Sequence, residues 1–188
     1  MTVTNGNLNN HSNNQITNIT NNILQIHGFG NDEIVDALSI NEKKKILNSK
    51  YLCLEKFIEI AHCSNYTQFK NIIVTNLKDN FAYKFDEKLG YFIITTKNEL
   101  LCDLINHSVF DIEAIYDELS EANKIDDYTK NIIQKFLDKI QDEDTPFLDQ
   151  EEEQNYDNYK KYKINKIKIL LYNNQDKITK DIALLISN

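Results

Sequence analysis

Three short bursts of β-branched and aromatic residues mark the stretch from Asn71 to Thr96: Ile72-Ile73-Val74, Phe81-Ala82-Tyr83-Lys84-Phe85 and Tyr91-Phe92-Ile93-Ile94. Turn formers separate them at Asn76-Leu77-Lys78-Asp79 and Asp86-Glu87-Lys88-Leu89-Gly90, so the pattern predicts a small antiparallel sheet. Phe81, Tyr83 and Phe85 share one face by the two-residue period of a strand, and that face needs a cover. On either side the apolar period becomes helical. Leu54, Phe57, Ile58 and Ala61, spaced along one side of a helix between Tyr51 and Cys63, are the expected cover.

Upstream, Asn31-Asp32-Glu33 reads as a helix start ahead of Ile34, Val35 and Leu38, and Ser39-Ile40-Asn41-Glu42 has capping-box spacing for a second helix. Downstream, Thr96 can cap a helix through Leu100, Leu101, Leu104 and Ile105. A break is expected near Asn106-His107-Ser108, followed by a helix carrying Ile112, Ile115, Tyr116 and Leu119. Tyr128, Ile132, Ile133, Phe136, Leu137 and Ile140 form the clearest amphipathic stripe in the chain. Tyr159, Tyr162, Ile167, Leu170 and Leu171 predict another helix, and Ile178, Ile182, Leu185 and Ile186 a last one. The expected fold class is α+β, mostly helical with a small antiparallel β-sheet and an extended amino-terminal arm.

The ends divide differently. Residues 1–13 are rich in Asn and lack the apolar surface to offset ordering, so a disordered tail is expected. Residues 14–28 set isolated Ile side chains among Thr and Asn. A half-polar extended segment of this kind is marginal alone and gains most by pairing with a copy of itself. Ile16, Ile19, Ile23, Ile26 and Phe29 are therefore the expected contacts of a homo-oligomer. Residues 29–141 form the expected core domain. Residues 142–157 hold eight acids, no Lys and the only proline, Pro146, and are expected to be an acidic linker to a helical segment at 158–188.

With 188 residues the chain can hold one sizeable domain, or one domain and an appendage. No apolar run approaches the ~20 residues of a membrane-spanning helix, and Met1 leads into Thr-Val-Thr-Asn-Gly and not into a basic stretch and an apolar core. Three cysteines fit a reducing compartment better than a disulfide framework. An intracellular protein with no membrane partner is expected. The net charge of -8 includes 21 cationic side chains, every one of them Lys. Without Arg there is no bidentate fork for guanine edges or phosphates, which disfavours sequence-specific DNA reading. Heavy use of Asn, Ile and Lys, with little Pro, Gly or Trp, attributes the missing Arg to an A+T-rich genome.

Candidate chemistry is sparse. Cys53, His62, Cys63, Cys102 and His107 are soft ligands, but their spacing fits a structural zinc site poorly. Cys53 and Cys102 read as small core hydrophobes, and His62 as a helix cap acting as a cation or a carbonyl donor. There is no Gly-x-Ser-x-Gly, no phosphate loop and no Gly-rich dinucleotide turn. No catalytic, metal or cofactor residue is expected, and the chain does not read as an enzyme. Lys160, Lys161, Lys163, Lys166 and Lys168, interleaved with Tyr159 and Tyr162, match the footprint of a single-strand or other polyanion contact. They directly follow the acidic block, and the two charge runs can neutralise each other, so a nucleic-acid partner is doubtful.

Asn18 to His27, Phe29-Gly30-Asn31-Asp32-Glu33, Leu54 to His62 and the Asn71 to Tyr83 stretch with Asn76-Leu77-Lys78-Asp79 occur in an order that resembles a family of uncharacterised proteins of giant DNA viruses, of the mimivirus type. The resemblance covers roughly residues 14–105. Longer members often begin with a two-cysteine, two-histidine zinc finger, which has no counterpart here. The prolines that members carry around the covering helix are also missing, and Cys63 stands where an aromatic is usual. The resemblance implies a non-enzymatic viral module that oligomerises or docks a protein partner, located in the host cytoplasm, its viral factory or the virion. The alternative is a nucleic-acid-associated regulatory protein using the Lys160 to Lys168 helix.

Overall fold

The structure, a computed structural model of the chain, describes residues 26–30 and 33–186. The expectations for the tail, for Ile16, Ile19 and Ile23 of the arm, and for Asn31-Asp32 lie outside those residues. What is described is α+β and mostly helical, with a three-stranded and a two-stranded antiparallel sheet.

Local sequence sets the early helices. After the one-turn α1 (Ile34–Ala37), the Ser39 hydroxyl accepts from the Glu42 N–H, while the Glu42 carboxylate accepts from the Ser39 N–H. This is the predicted capping box, and it starts α2 (Ile40–Asn48). A 3₁₀ turn (Lys50–Leu52) leads into α3 (Cys53–Ile58), which widens into a π-helical turn (Glu59–Cys63). Ile46, Leu47, Leu54, Phe57 and Ile58 are fully buried, and each such side chain contributes about 1.5–3 kcal/mol of transfer free energy.

The three apolar bursts become β1 (Ile72–Ile73), β2 (Phe81–Asp86) and β3 (Tyr91–Thr96), in the order β1-β2-β3. Between β2 and β3, the Asp86 carboxylate accepts from the N–H groups of Lys88 and Leu89. Gly90, at φ +73°, takes the left-handed conformation that closes the turn.

The cover over the sheet differs from the expectation. α4 (Lys97–Glu121) packs on β2 and β3, and α6 (Tyr159–Ile186) packs on β1. The α3 segment, the expected cover, packs on α2, α4 and α6 instead. Register gives the reason: Ile72, Lys84 and Ile93 stand in one row, with Ala82 opposite Thr95 on the same face. Ile72 and Ala82 are fully buried, so this is the inward face, and the small Ala82 lets α4 approach closely. Phe81, Tyr83 and Phe85 do share a face, the opposite one, along which Ile73, Phe85 and Phe92 are half-buried against the rim of the core while Phe81 and Ile94 are exposed.

Helix α4 is unbroken across Asn106-His107-Ser108, where a break was expected. Leu101, Leu104, Ile105, Ser108, Ile112, Ile115 and Leu119 hold one buried stripe, and Ser108 is small enough to keep it continuous. Asp126 caps α5 (Asp127–Gln141) by accepting from the Thr129 N–H, and Ile133, Phe136, Leu137 and Ile140 are buried as the stripe predicts.

The acidic segment expected as a linker contains a hairpin, β4 (Phe147–Asp149) paired with β5 (Gln154–Tyr156). Two things overcome the self-repulsion of its acids. Phe147 packs its ring 5.0 Å from Tyr159 and 4.6 Å from Tyr162, and Glu143, Asp149 and Glu152 pair with lysines of α6. The two helices expected after it are a single one. Ile167, Leu171, Ile178 and Ile182 of α6 join the same core as α3 and α4, so the carboxyl-terminal segment is part of the domain.

Candidate interaction surface

The outward face of the sheet is built by cross-strand pairing. Ile73, Tyr83 and Ile94 form one row, Phe85 stands opposite Phe92, and Phe81 opposite Thr96. The Phe85 and Phe92 rings meet edge to face at 5.3 Å, which fixes part of the surface. On this face Phe81 is 58% exposed and Ile94 65%, whereas Tyr91 at the hairpin end stands on the other face, in parity with Ile93. Ile73, Tyr83, Phe85 and Phe92 are half-buried. Phe81 and Ile94 thus hold large apolar side chains in solvent on one face of the sheet, the kind of surface that a binding partner would cover.

Of the expected arm contacts, two are described. Ile26 is buried against the domain at 5% exposure, and Phe29 packs its ring 5.7 Å from His107. The His27 N–H donates to the Gln68 carbonyl and the Phe29 N–H to the Phe85 carbonyl. Residues 26–29 thus belong to the domain, and in this position Ile26 is not free to contact a second chain. Gly30, at φ +87°, lies against His107, whose Cε1 would stand 2.9 Å from an added Cβ.

The structure separates the five lysines of the expected polyanion contact. Lys163 is buried, donating to Glu55 Oε1 at 2.6 Å and to the Tyr51 carbonyl at 2.6 Å. Lys166 pairs with Asp149 at 3.3 Å and with Glu152, and these partners raise its pKa. Lys160 faces Glu143 at 3.5 Å. Lys161 is exposed, and Lys168 is half-buried, its charge adding to the burial that lowers the Lys97 pKa. Sequence periodicity counted Lys163 with its neighbours. The clue to its burial was its position i+4 from Tyr159 and i−4 from Ile167, on the helix's apolar stripe.

The soft ligands do not gather. Cys53 and Cys63 are buried free thiols, burial pushing each up to about 12, and Cys102 is half-buried. His62 is buried, with Nδ1 2.7 Å from the Phe69 carbonyl, and burial brings its pKa down to about 4. It is a neutral donor to a loop carbonyl, not a cation at its own helix end. His62 and His107 line a cavity of about 130 Å³ with Phe29, Leu104 and Phe110. Among the described residues no three His, Cys, Asp or Glu side chains are placed to hold a metal, and no helix is long and apolar enough to cross a membrane. No protein-family model, no curated protein and no solved structure matches this chain.

Proposed function

We propose that this protein is a non-catalytic assembly module, whose work is to hold a second protein surface against its own. The observation that carries the proposal is the outward sheet face: Phe81 and Ile94 are more than half exposed on a neutral surface, while Lys160, Lys163 and Lys166 are already matched by internal carboxylates. Removing apolar area of this kind from water favours association at roughly 25 cal/mol per Å² before the costs of ordering. Residues 26–29, which include the described end of the expected arm at 14–28, lie beside this sheet, where the Phe29 N–H donates to the Phe85 carbonyl at the end of β2, and the arm's Ile/Asn/Thr pattern is a further expected contact with a second copy. The proposal includes the resemblance to the giant-virus family, and with it a place in the host cytoplasm, viral factory or virion. The competing nucleic-acid reading has less support, because the paired lysines offer few free charges to phosphates.

The test is the mass in solution of the full chain and of a chain beginning at Ile26, measured by light scattering across a wide concentration range. A concentration-dependent oligomer is expected for the full chain. Monomers at every concentration for both chains would sink self-assembly.

A further inference from the structure

The two edges of the three-stranded sheet are finished differently. β1 is two residues long, and the chain entering from Ile26 runs beside it, the Asn71 side chain donating to the His27 carbonyl. β3 is six residues long and has no strand beyond it among the described residues. It also lacks the devices that normally protect an open edge. Tyr91-Phe92-Ile93-Ile94-Thr95-Thr96 contains no charge, no proline and no glycine, and its pairing with β2 runs without a bulge.

The direction of the hydrogen bonds identifies the open groups. Phe85 donates its N–H to the Asn71 carbonyl and accepts from Phe29, both on the β1 side. Bonding direction alternates along an antiparallel strand, so Ala82, Lys84 and Asp86 bond toward β3 through their partners Thr95, Ile93 and Tyr91. The Lys97 N–H donating to the Asn80 carbonyl continues the same alternation. Phe92, Ile94 and Thr96 therefore turn their N–H and C=O groups outward, along the free edge.

We infer that this edge pairs with the same edge of a second copy, antiparallel about a two-fold axis normal to the sheet, with Ile94 opposite Ile94. The inference rests on the assembly function proposed above and names its partner. A two-fold axis in that direction keeps inward faces inward, so paired residues must be of like parity; a one-residue slip would turn one copy's apolar face over. Centring on Ile94 also sets Phe92 against Thr96, so all three outward-facing residues bond. It joins the two outward aromatic faces into one surface. A second copy suits this edge better than an unrelated strand. β3 offers no charge for a partner to recognise, and a copy brings an equally neutral strand of equal length. Because each copy carries a net charge of -8, salt screens their repulsion and strengthens the pairing.

The test uses the full chain. Ile94→Lys keeps the bonds to β2 and changes an exposed side chain, so the melting temperature should stay within a few degrees of the parent. It places like charges directly opposite at the two-fold axis, and dimerisation should weaken on the order of tenfold or more by analytical ultracentrifugation. Independently, Ile94→Cys should give a dimer under mild oxidation that reduction reverses, since opposed residues of a hydrogen-bonded pair have Cα atoms about 5.5 Å apart, within disulfide range. Ile93→Cys, offset diagonally by about 7–8 Å, should not. An oligomer that survives Ile94→Lys and fails to cross-link through Ile94→Cys overturns the inference and leaves assembly standing, with the contact elsewhere. Cross-linking by Ile93→Cys in place of Ile94→Cys overturns the register. A monomeric parent with no cross-linking overturns both. If Ile94→Lys fails to fold, the cross-linking pair decides.

Discussion

Aromatic side chains cluster twice in this protein, and the clusters are built on opposite terms. Around α6, Phe136, Phe147, Tyr156, Tyr159 and Tyr162 lie with ring centroids 4.6 to 6.3 Å from their neighbours. Lys139 and Lys163 sit over those rings at 4.5 to 6.0 Å, and Lys163 and Lys166 are held by carboxylates. On the sheet, Phe81, Tyr83, Phe85 and Phe92 share a face with Ile73 and Ile94, and no charged residue stands among them. A cluster whose cations, anions and rings are matched within the domain has little left with which to recognise anything else. A neutral cluster beside an open strand edge has both area and backbone groups to offer, so function is sought at the sheet.

The largest expected effect breaks the comparison at its centre. Phe136 is fully buried, 6.3 Å from Tyr159, and Phe136→Ala should cost about 3–5 kcal/mol through lost transfer energy and the cavity left behind. Phe81→Ala should change stability by no more than about 0.5 kcal/mol, since Phe81 is mostly exposed. Urea unfolding of the two variants checks this. Equal losses would mean that the outward face is covered and that the contrast between the clusters is false.

Where one period governed a segment, the sequence told its structure well. The strands at Phe81–Asp86 and Tyr91–Thr96, the Ser39 capping box and the Phe136 stripe all follow from local pattern. Misjudgements came where two local signals competed and distant contacts decided between them. The period of two put Phe81, Tyr83 and Phe85 together but could not say which face meets the helices; that depended on Ala82 and Ile72 admitting α4 and α6. Asn106-His107-Ser108 looks like a helix break until Ser108 is seen packed in the α4 stripe. The acidic run read as a linker because its counter-charges lie on α6, 14 to 17 residues away in sequence. For the candidate site, the residues of β3 were legible. Their position at an open edge depended on strand order, which no local pattern encodes.

Acidification should separate the buried His62 from the ion-paired Asp149 beside α6. Burial holds His62 neutral in the folded protein with its pKa near 4, whereas it titrates near 6.5 when unfolded. The unfolded chain therefore takes up the extra proton. Stability is unaffected above pH 6.5, falls as pH drops from 6.5 toward 4, and levels off below, a loss of about 3 kcal/mol from this group. Asp149, which pairs with Lys166 of α6, behaves oppositely. Burial of Asp149 opposes ionisation, but the Glu151 N–H and Lys166 outweigh it and hold the pKa below its usual value, so the Asp149–Lys166 pair persists over the same interval. Stability curves from pH 7 to pH 4 for the parent and for His62→Gln check this. The variant should lose most of the slope, and an unchanged slope would assign it to other groups.

The smallest effect bears on whether the α6 lysines have any outward role. The Lys166–Glu152 pair is partly exposed, so Glu152→Gln should cost at most about 1 kcal/mol of stability. Its use is electrostatic: it removes one of the two carboxylates that hold Lys166 while leaving Phe147 and the β4–β5 hairpin in place. If the acidic hairpin were a cover over a nucleic-acid surface, loosening it would release binding to a single-stranded oligonucleotide. That binding would be strongest at low salt and would weaken steeply as salt rises. We expect no binding by either protein at low salt. Lys163 remains buried on Glu55, Lys160 remains opposite Glu143, and the charge of -8 opposes the approach of a polyanion. Tight, salt-sensitive binding by Glu152→Gln alone would reverse the comparison, making the matched cluster an inhibited site and the sheet face an ordinary surface.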